Sequence, residues 1–200
     1  MYTDPKDISS LIGSRICHDL ISPLGAISNG IELIEMDGQP LGPEIELIAA
    51  SVAAAKSRIR FFRVAYGSAK PGVTLAKSEI SSILTDHFQD TRIRCTWLPE
   101  NEVPRQAAKI AFLVIQCFES ALPYGGSIVV KRSKGQWQLQ AEGQKLRRQP
   151  DLWARLDEGY IPDTPLSPAD VQFGLLAEIS RWRQPQLSYD MTEHRIFVSF

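Results

Sequence analysis

Histidine is scarce: His18, His87 and His194 are the only three in 200 residues, and none stands among clustered carboxylates or cysteines. A zinc or non-haem iron site therefore has little to stand on, and no metal is assigned. Cysteine is as sparse. Cys17, Cys95 and Cys117 form no CxxC pair, and an odd, dispersed set reads as reduced thiols, which points to the cytoplasm. The opening YTDPKDISS has neither the basic nor the apolar region of a signal peptide, and no run approaches the roughly 20 apolar residues that span a bilayer. No membrane association is expected. An excess of either charge is missing too: 22 Lys and Arg stand against 23 Asp and Glu, which excludes an overall pull toward nucleic acid or anionic lipid. Partner choice must come from a local surface.

What is present is helical periodicity. From Ile8 to Met36, Cys17, Leu20, Leu24, Ile27, Ile31 and Ile34 recur in steps of three and four, one face of a helix. The breaker Asp37–Pro43 follows, and then Ile45, Ile48, Val52, Ala55, Ile59, Phe62 and Tyr66 repeat the same steps. This is an αα-hairpin. Two antiparallel helices cannot bury both seams against each other alone, so the pattern predicts a homodimer closed as a four-helix bundle. Gly67–Gly72 has linker composition, which divides the chain into a hairpin at 1–67 and a second unit at 72–200. In the second unit helices are expected at Lys77–Phe88, Arg105–Leu122 and Pro168–Arg183, and strands at Arg92–Leu98, Ser127–Arg132, Gln136–Ala141, Leu187–Tyr189 and Arg195–Ser199. The fold class is α+β, with helices on one face of a mostly antiparallel sheet.

One stretch of the first helix, CHDLISPLGAISNG from Cys17, does not reduce to packing. At about 100° per residue, His18 points roughly 130° away from the apolar seam, toward solvent. Ser14, Arg15, Ser22, Gly25 and Asn29 fall within about 60° of it, so the outward face is polar and, at Gly25, flat. A partner could approach closely there. A neutral imidazole is a nucleophile toward phosphorus, and a neighbouring carboxylate can keep one ring nitrogen protonated so that the other attacks. Asp19 is the nearest carboxylate. Pro23, five residues after the histidine, removes the backbone bond to residue 19 and is expected to kink the helix.

The string His18-Asp19-Leu20-Ile21-Ser22-Pro23 resembles the phosphoacceptor box of dimeric histidine kinases, and the longer Ser14–Ile34 is similar to the ChpT family of alphaproteobacterial histidine phosphotransferases. The resemblance covers the whole chain in order and implies a dimerising hairpin followed by a degenerate relative of the kinase ATP-binding domain. The kinase asparagine pair is replaced by Gln116-Cys117-Phe118-Glu119-Ser120-Ala121, in which Glu119 offers a substitute metal ligand. The adenine-reading D-x-G corresponds to Ala141-Glu142-Gly143, without its aspartate, and the G-x-G to Gln172-Phe173-Gly174, with one glycine gone. Three separate contacts to a nucleotide are missing.

The resemblance implies a relay: His18 takes a phosphoryl group from one receiver domain and hands it to another, with Asp19 orienting the imidazole. No cofactor of its own is expected, and magnesium would be supplied by the partner receiver. Leu11, Ser14, Arg15, Ser22, Gly25 and Asn29 would form the receiver-binding face, Arg15 offsetting charge on the phosphoryl oxygens. The implied donor is a CckA-type hybrid kinase and the implied acceptors are CtrA-like and CpdR-like response regulators, a link to cell-cycle or motility control. Three other readings of the same residues stay open. One is an ATP-dependent kinase fragment, a second is a non-catalytic dimeric adaptor of receivers, and a third is a phosphatase mode through Ser22.

Overall fold

The computed structural model describes residues 5–36, 42–157, 160–161, 163–183 and 186–200, and the chain divides into two compact units, Met1–Lys70 and Pro71–Phe200. The first is a helical hairpin of α1 (Pro5–Met36) and α2 (Pro43–Ala65). The breaker expected at Asp37–Pro43 lies, over 37–41, outside the described residues. Gly42 caps α2 in an extended conformation and Pro43 opens it, where a missing N–H goes unnoticed, while Glu44 and Glu46 complement the positive end of the helix dipole and Arg63 the negative end. The two helices run antiparallel: Gly13 lies against Tyr66, Ser28 against Lys56. A Cβ at Gly13 would come within 3.2 Å of the Tyr66 carbonyl oxygen, so a residue without a side chain sits where the helix meets the end of its partner.

Of the seam expected on α1, only Cys17 and Ile31 are buried. Leu20, Ile27 and Ile34 remain 45–47% exposed, and together with Ile12 and Ile16 they make a continuous apolar stripe beside the line that faces α2. The reason is geometrical. One neighbouring helix covers only part of the apolar arc that the α1 sequence presents. α1 is continuous through Pro23, although the proline nitrogen cannot donate to the Asp19 carbonyl.

The second unit is a five-stranded sheet in the order β2-β4-β5-β7-β6, built from β2 (Ile93–Trp97), β4 (Gly126–Ser133), β5 (Gln136–Glu142), β6 (Ser188–Met191) and β7 (Arg195–Ser199). β2 and β4 are parallel, joined through the crossover helix α4 (Arg105–Ala121), and every other pairing is antiparallel. Side chains alternate as a half-buried sheet requires. Ile128, Val130, Leu139, Ala141, Ile196 and Val198 are fully buried, while the residues between them are wholly or partly open, except near the end of β7. α4 is apolar almost all round, with Ile110 to Ile115 all buried, and packs on β4, β5 and α6 (Val171–Arg183), while α3 (Lys77–Phe88) packs on β2. The helix expected over Pro168–Arg183 begins as a 3₁₀ turn, Pro168–Asp170, whose Ser167 hydroxyl accepts from the Ala169 N–H.

Three short elements carried no sequence signal. β1 (Thr74–Leu75) and β3 (Val103–Pro104) form a two-residue antiparallel ladder, and α5 (Pro150–Trp153) is a single turn. None is long enough to display a period.

Candidate functional site

Midway along α1, the His18 side chain is 83% exposed, and its Nδ1 lies 3.2 Å from Asp19 Oδ1. The other Asp19 oxygen, Oδ2, accepts from Arg15 Nε–H at 2.7 Å. Three side chains of one helix thus form a chain from guanidinium through carboxylate to imidazole. The Arg15 hydrogen bond first, and the His18 bond second, hold the Asp19 carboxyl below its ordinary value, so it is an acceptor at neutral pH. An ionised carboxylate accepts only, and the ring nitrogen facing it must carry the proton. In the neutral ring Nε2 is then the unprotonated position, and a side chain that is mostly open to solvent presents it to an incoming electrophile.

Around this chain, Leu11 is exposed, as are Ser22 and Asn29. Gly25 has open space where a Cβ would stand, so the helix surface is flat there. Ser14 serves another purpose: its hydroxyl accepts the Ser68 N–H at 2.9 Å and ties the segment after α2 back to α1. Arg15 likewise has a partner within the chain, which sequence geometry could not reveal because it depends on side-chain rotamers. Cys17, immediately before the histidine, faces inward, and burial pushes its thiol up against the opposing pull of Arg63.

In the second unit, some of the residues that the resemblance aligns with kinase nucleotide contacts are packed into the interior and others stay near the surface. Gln172 is 1% exposed and donates its Nε2–H to Ser120 Oγ at 3.3 Å. Phe173 is fully buried against Trp153, which also stacks on Phe118 at 6.1 Å and touches Tyr189. Glu119, offered by the sequence as a metal ligand, has its Oε2 3.3 Å from the buried His87 Nε2 of α3. Ala141 sits inside the sheet between Ile128 and Ile196, and Gly143 opens on a surface cleft with Gly125, Gly126, Glu142 and His194. Among the described residues, no three His, Cys, Asp or Glu side chains gather as metal ligands, and no helix is long and apolar enough to cross a membrane.

A family model described as the histidine phosphotransferase C-terminal domain matches residues 77–195, more than half of the chain. The chain belongs to the histidine phosphotransferase family. This phosphotransferase is 32% identical over 177 residues to protein phosphotransferase ChpT of Brucella abortus (strain 2308), covering 83% of this chain and 81% of that one. A solved structure of a bacterial phosphotransferase superposes with a TM-score of 0.68 at 25% identity, over 100% of this phosphotransferase and 98% of the other chain. The histidine kinase AdeS of Acinetobacter baumannii aligns at a TM-score of 0.44 and 12% identity, over 91% of this chain and 95% of its own.

Proposed function

We propose that His18 is the phosphoacceptor of a two-component relay. The observation that carries this reading is the solvent-exposed imidazole whose Nδ1 is engaged by Asp19, which leaves Nε2 outward. Nε2 attacks the phosphorus of an aspartyl-phosphate: the N–P bond forms from the nitrogen lone pair, and the P–O bond breaks with its electrons leaving on the receiver's carboxylate oxygen. Nδ1 keeps its proton throughout, and the positive charge that develops on the ring faces Asp19. The same steps in reverse deliver the group to a second receiver. Magnesium belongs to the receiver in this scheme, and the chain contributes a positioned nucleophile.

The donor in this reading is the receiver domain of a CckA-type hybrid kinase, and the acceptors are CtrA-like and CpdR-like regulators, in the cytoplasm. Their docking face is the side of α1 that carries Leu11, Ser22, Gly25 and Asn29. Residues 1–67 act as phosphoacceptor and dimerisation domain, and 72–200 as a retained kinase-like domain without ATP-dependent activity. Burial of Phe173 beneath Trp153 supports that last point, because Gln172-Phe173-Gly174 lies within α6 with its ring turned into the core, and not in an open loop that could offer backbone N–H groups to a triphosphate. The stripe of Ile12, Ile16, Leu20, Ile27 and Ile34 supports a homodimer: it is an apolar seam of helical spacing that the single chain leaves open.

Transfer of labelled phosphate tests the reading. Wild type and His18→Ala are each mixed with a phosphorylated hybrid-kinase receiver, beside an incubation with ATP and magnesium alone. Label on wild type only, and only from the receiver, is expected. Label from ATP alone would make the protein a kinase, and no label from either source would leave an adaptor.

A further inference from the structure

Adjacent residues on a helix do not face each other. His18 and Asp19 leave the α1 axis about 100° apart, so a carboxylate free to choose its rotamer has no geometrical reason to turn to the ring. Arg15 supplies one. Three residues before the histidine and four before the aspartate, it projects at an angle between the two, one turn toward the N-terminus. Its Nε–H is bonded to Asp19 Oδ2 at 2.7 Å, and with that oxygen anchored, Oδ1 comes to lie 3.2 Å from His18 Nδ1. The planar guanidinium is suited to this because its donor directions are fixed, whereas an ammonium would hold the same oxygen with no preferred orientation. We infer that Arg15 is a positioning residue for the phosphoacceptor, holding the Asp19 carboxylate in the rotamer that keeps the His18 proton on Nδ1 and the Nε2 lone pair available. The inference rests on His18 being the acceptor, and it changes the part expected of Arg15, from a contact to phosphoryl oxygens to a contact with the carboxylate that orients the ring.

The arrangement also bears on the reverse step. When Nε2 carries the phosphoryl group, the ring is cationic and Nδ1–H faces an anion that Arg15 already shares. The carboxylate steadies the ring without an undivided charge to lock it, which suits a group that must leave again as easily as it arrived.

The test uses the full chain with Arg15→Gln, Arg15→Lys and Asp19→Asn. Nitrogen-15 NMR of the His18 ring in the free protein reads the tautomer directly, with no receiver present. Wild type is expected to hold the Nδ1–H form in excess, and both R15Q and D19N to lose that excess, with R15K intermediate. In single-turnover transfer from a phosphorylated receiver, R15Q should be slower on the order of tenfold at saturating receiver, with the half-saturating concentration little changed. An R15Q ring with the wild-type tautomer ratio overturns the positioning role, and a defect confined to the half-saturating concentration would then make Arg15 a receiver contact. Absence of label on wild type in the same assay overturns the relay reading instead, so the two failures are told apart. Arg15 is 78% exposed, so the R15Q helix content and melting temperature should match wild type, which confirms that the variant is folded.

Discussion

Trp153 meets Phe173 edge-on, with ring centroids 5.2 Å apart and planes at 84°. Both rings are buried, and they occupy the part of the domain where the family resemblance places a phosphate loop. The pair holds the one-turn helix α5 against α6, so the site's fate is tied to the domain's stability. Trp153→Ala should therefore destabilise the second unit by about 3–5 kcal/mol, the usual range for a large buried aromatic. Urea denaturation followed by tyrosine and tryptophan fluorescence measures it. A loss below about 1 kcal/mol would mean that the ring fills space without supporting it.

Gly25 separates stability from function. It lies in the interior of α1 with nothing within 4 Å of the position a Cβ would take, so Gly25→Ala should stabilise the hairpin by about 0.5–1 kcal/mol. Transfer to a receiver should nonetheless fall, because a methyl group then stands on the flat part of the proposed docking face. Thermal unfolding and the labelled-phosphate assay, run on the same preparation, should move in opposite directions.

The open stripe on α1 predicts an assembly. Sedimentation equilibrium should give twice the 22.3 kDa chain mass, and the double change Ile16→Glu with Ile27→Glu should return the single mass, because two buried carboxylates would have to be desolvated at the interface. A wild-type monomer at micromolar concentration would show that the stripe is covered in another way.

Alkaline pH should weaken the second unit through Cys95. Part of that residue reaches the surface, but its thiol is withdrawn from water, and burial pushes it from 9.0 up to about 12. Between those values the unfolded thiol has lost its proton while the native one keeps it, so rising pH favours unfolding. The contribution is fully present below pH 9.0 and is lost progressively as pH rises toward about 12. Urea midpoints at several pH values across that window should fall more steeply for wild type than for Cys95→Ala.

Much of the fold is legible in the chain because its signals are long: two heptad-like helices, an α4 with the unbroken apolar run Ile110–Ile115, and alternating strands around the Lys134-Gly135 turn, where both residues adopt positive φ. The β1–β3 ladder and α5 are not legible, since two to four residues carry no period and depend on tertiary contact. At the site, helical geometry alone places His18 outward and gathers its polar neighbours. It does not reveal that Ser14 is taken by the Ser68 N–H, or that Arg15 is bonded to Asp19, because those outcomes are decided by rotamers and by a loop far along the chain. The partner of Glu119 is equally hidden: His87 lies on a different helix, and nothing local links the two.

The order of strands sets two clocks. Hairpin contacts such as Ser28 with Lys56 close through one short connection, whereas Gln138 must find Ser199, near the far end of the chain, before the sheet is complete. Non-local pairing slows folding by orders of magnitude relative to helix docking. Stopped-flow refolding should show a fast helical phase ahead of a slower one reported by Trp97 and Trp137, both in the sheet. A newly made chain would then offer its apolar stripe to a second copy while its own sheet was still seeking register, so in the proposed dimer assembly would precede completion.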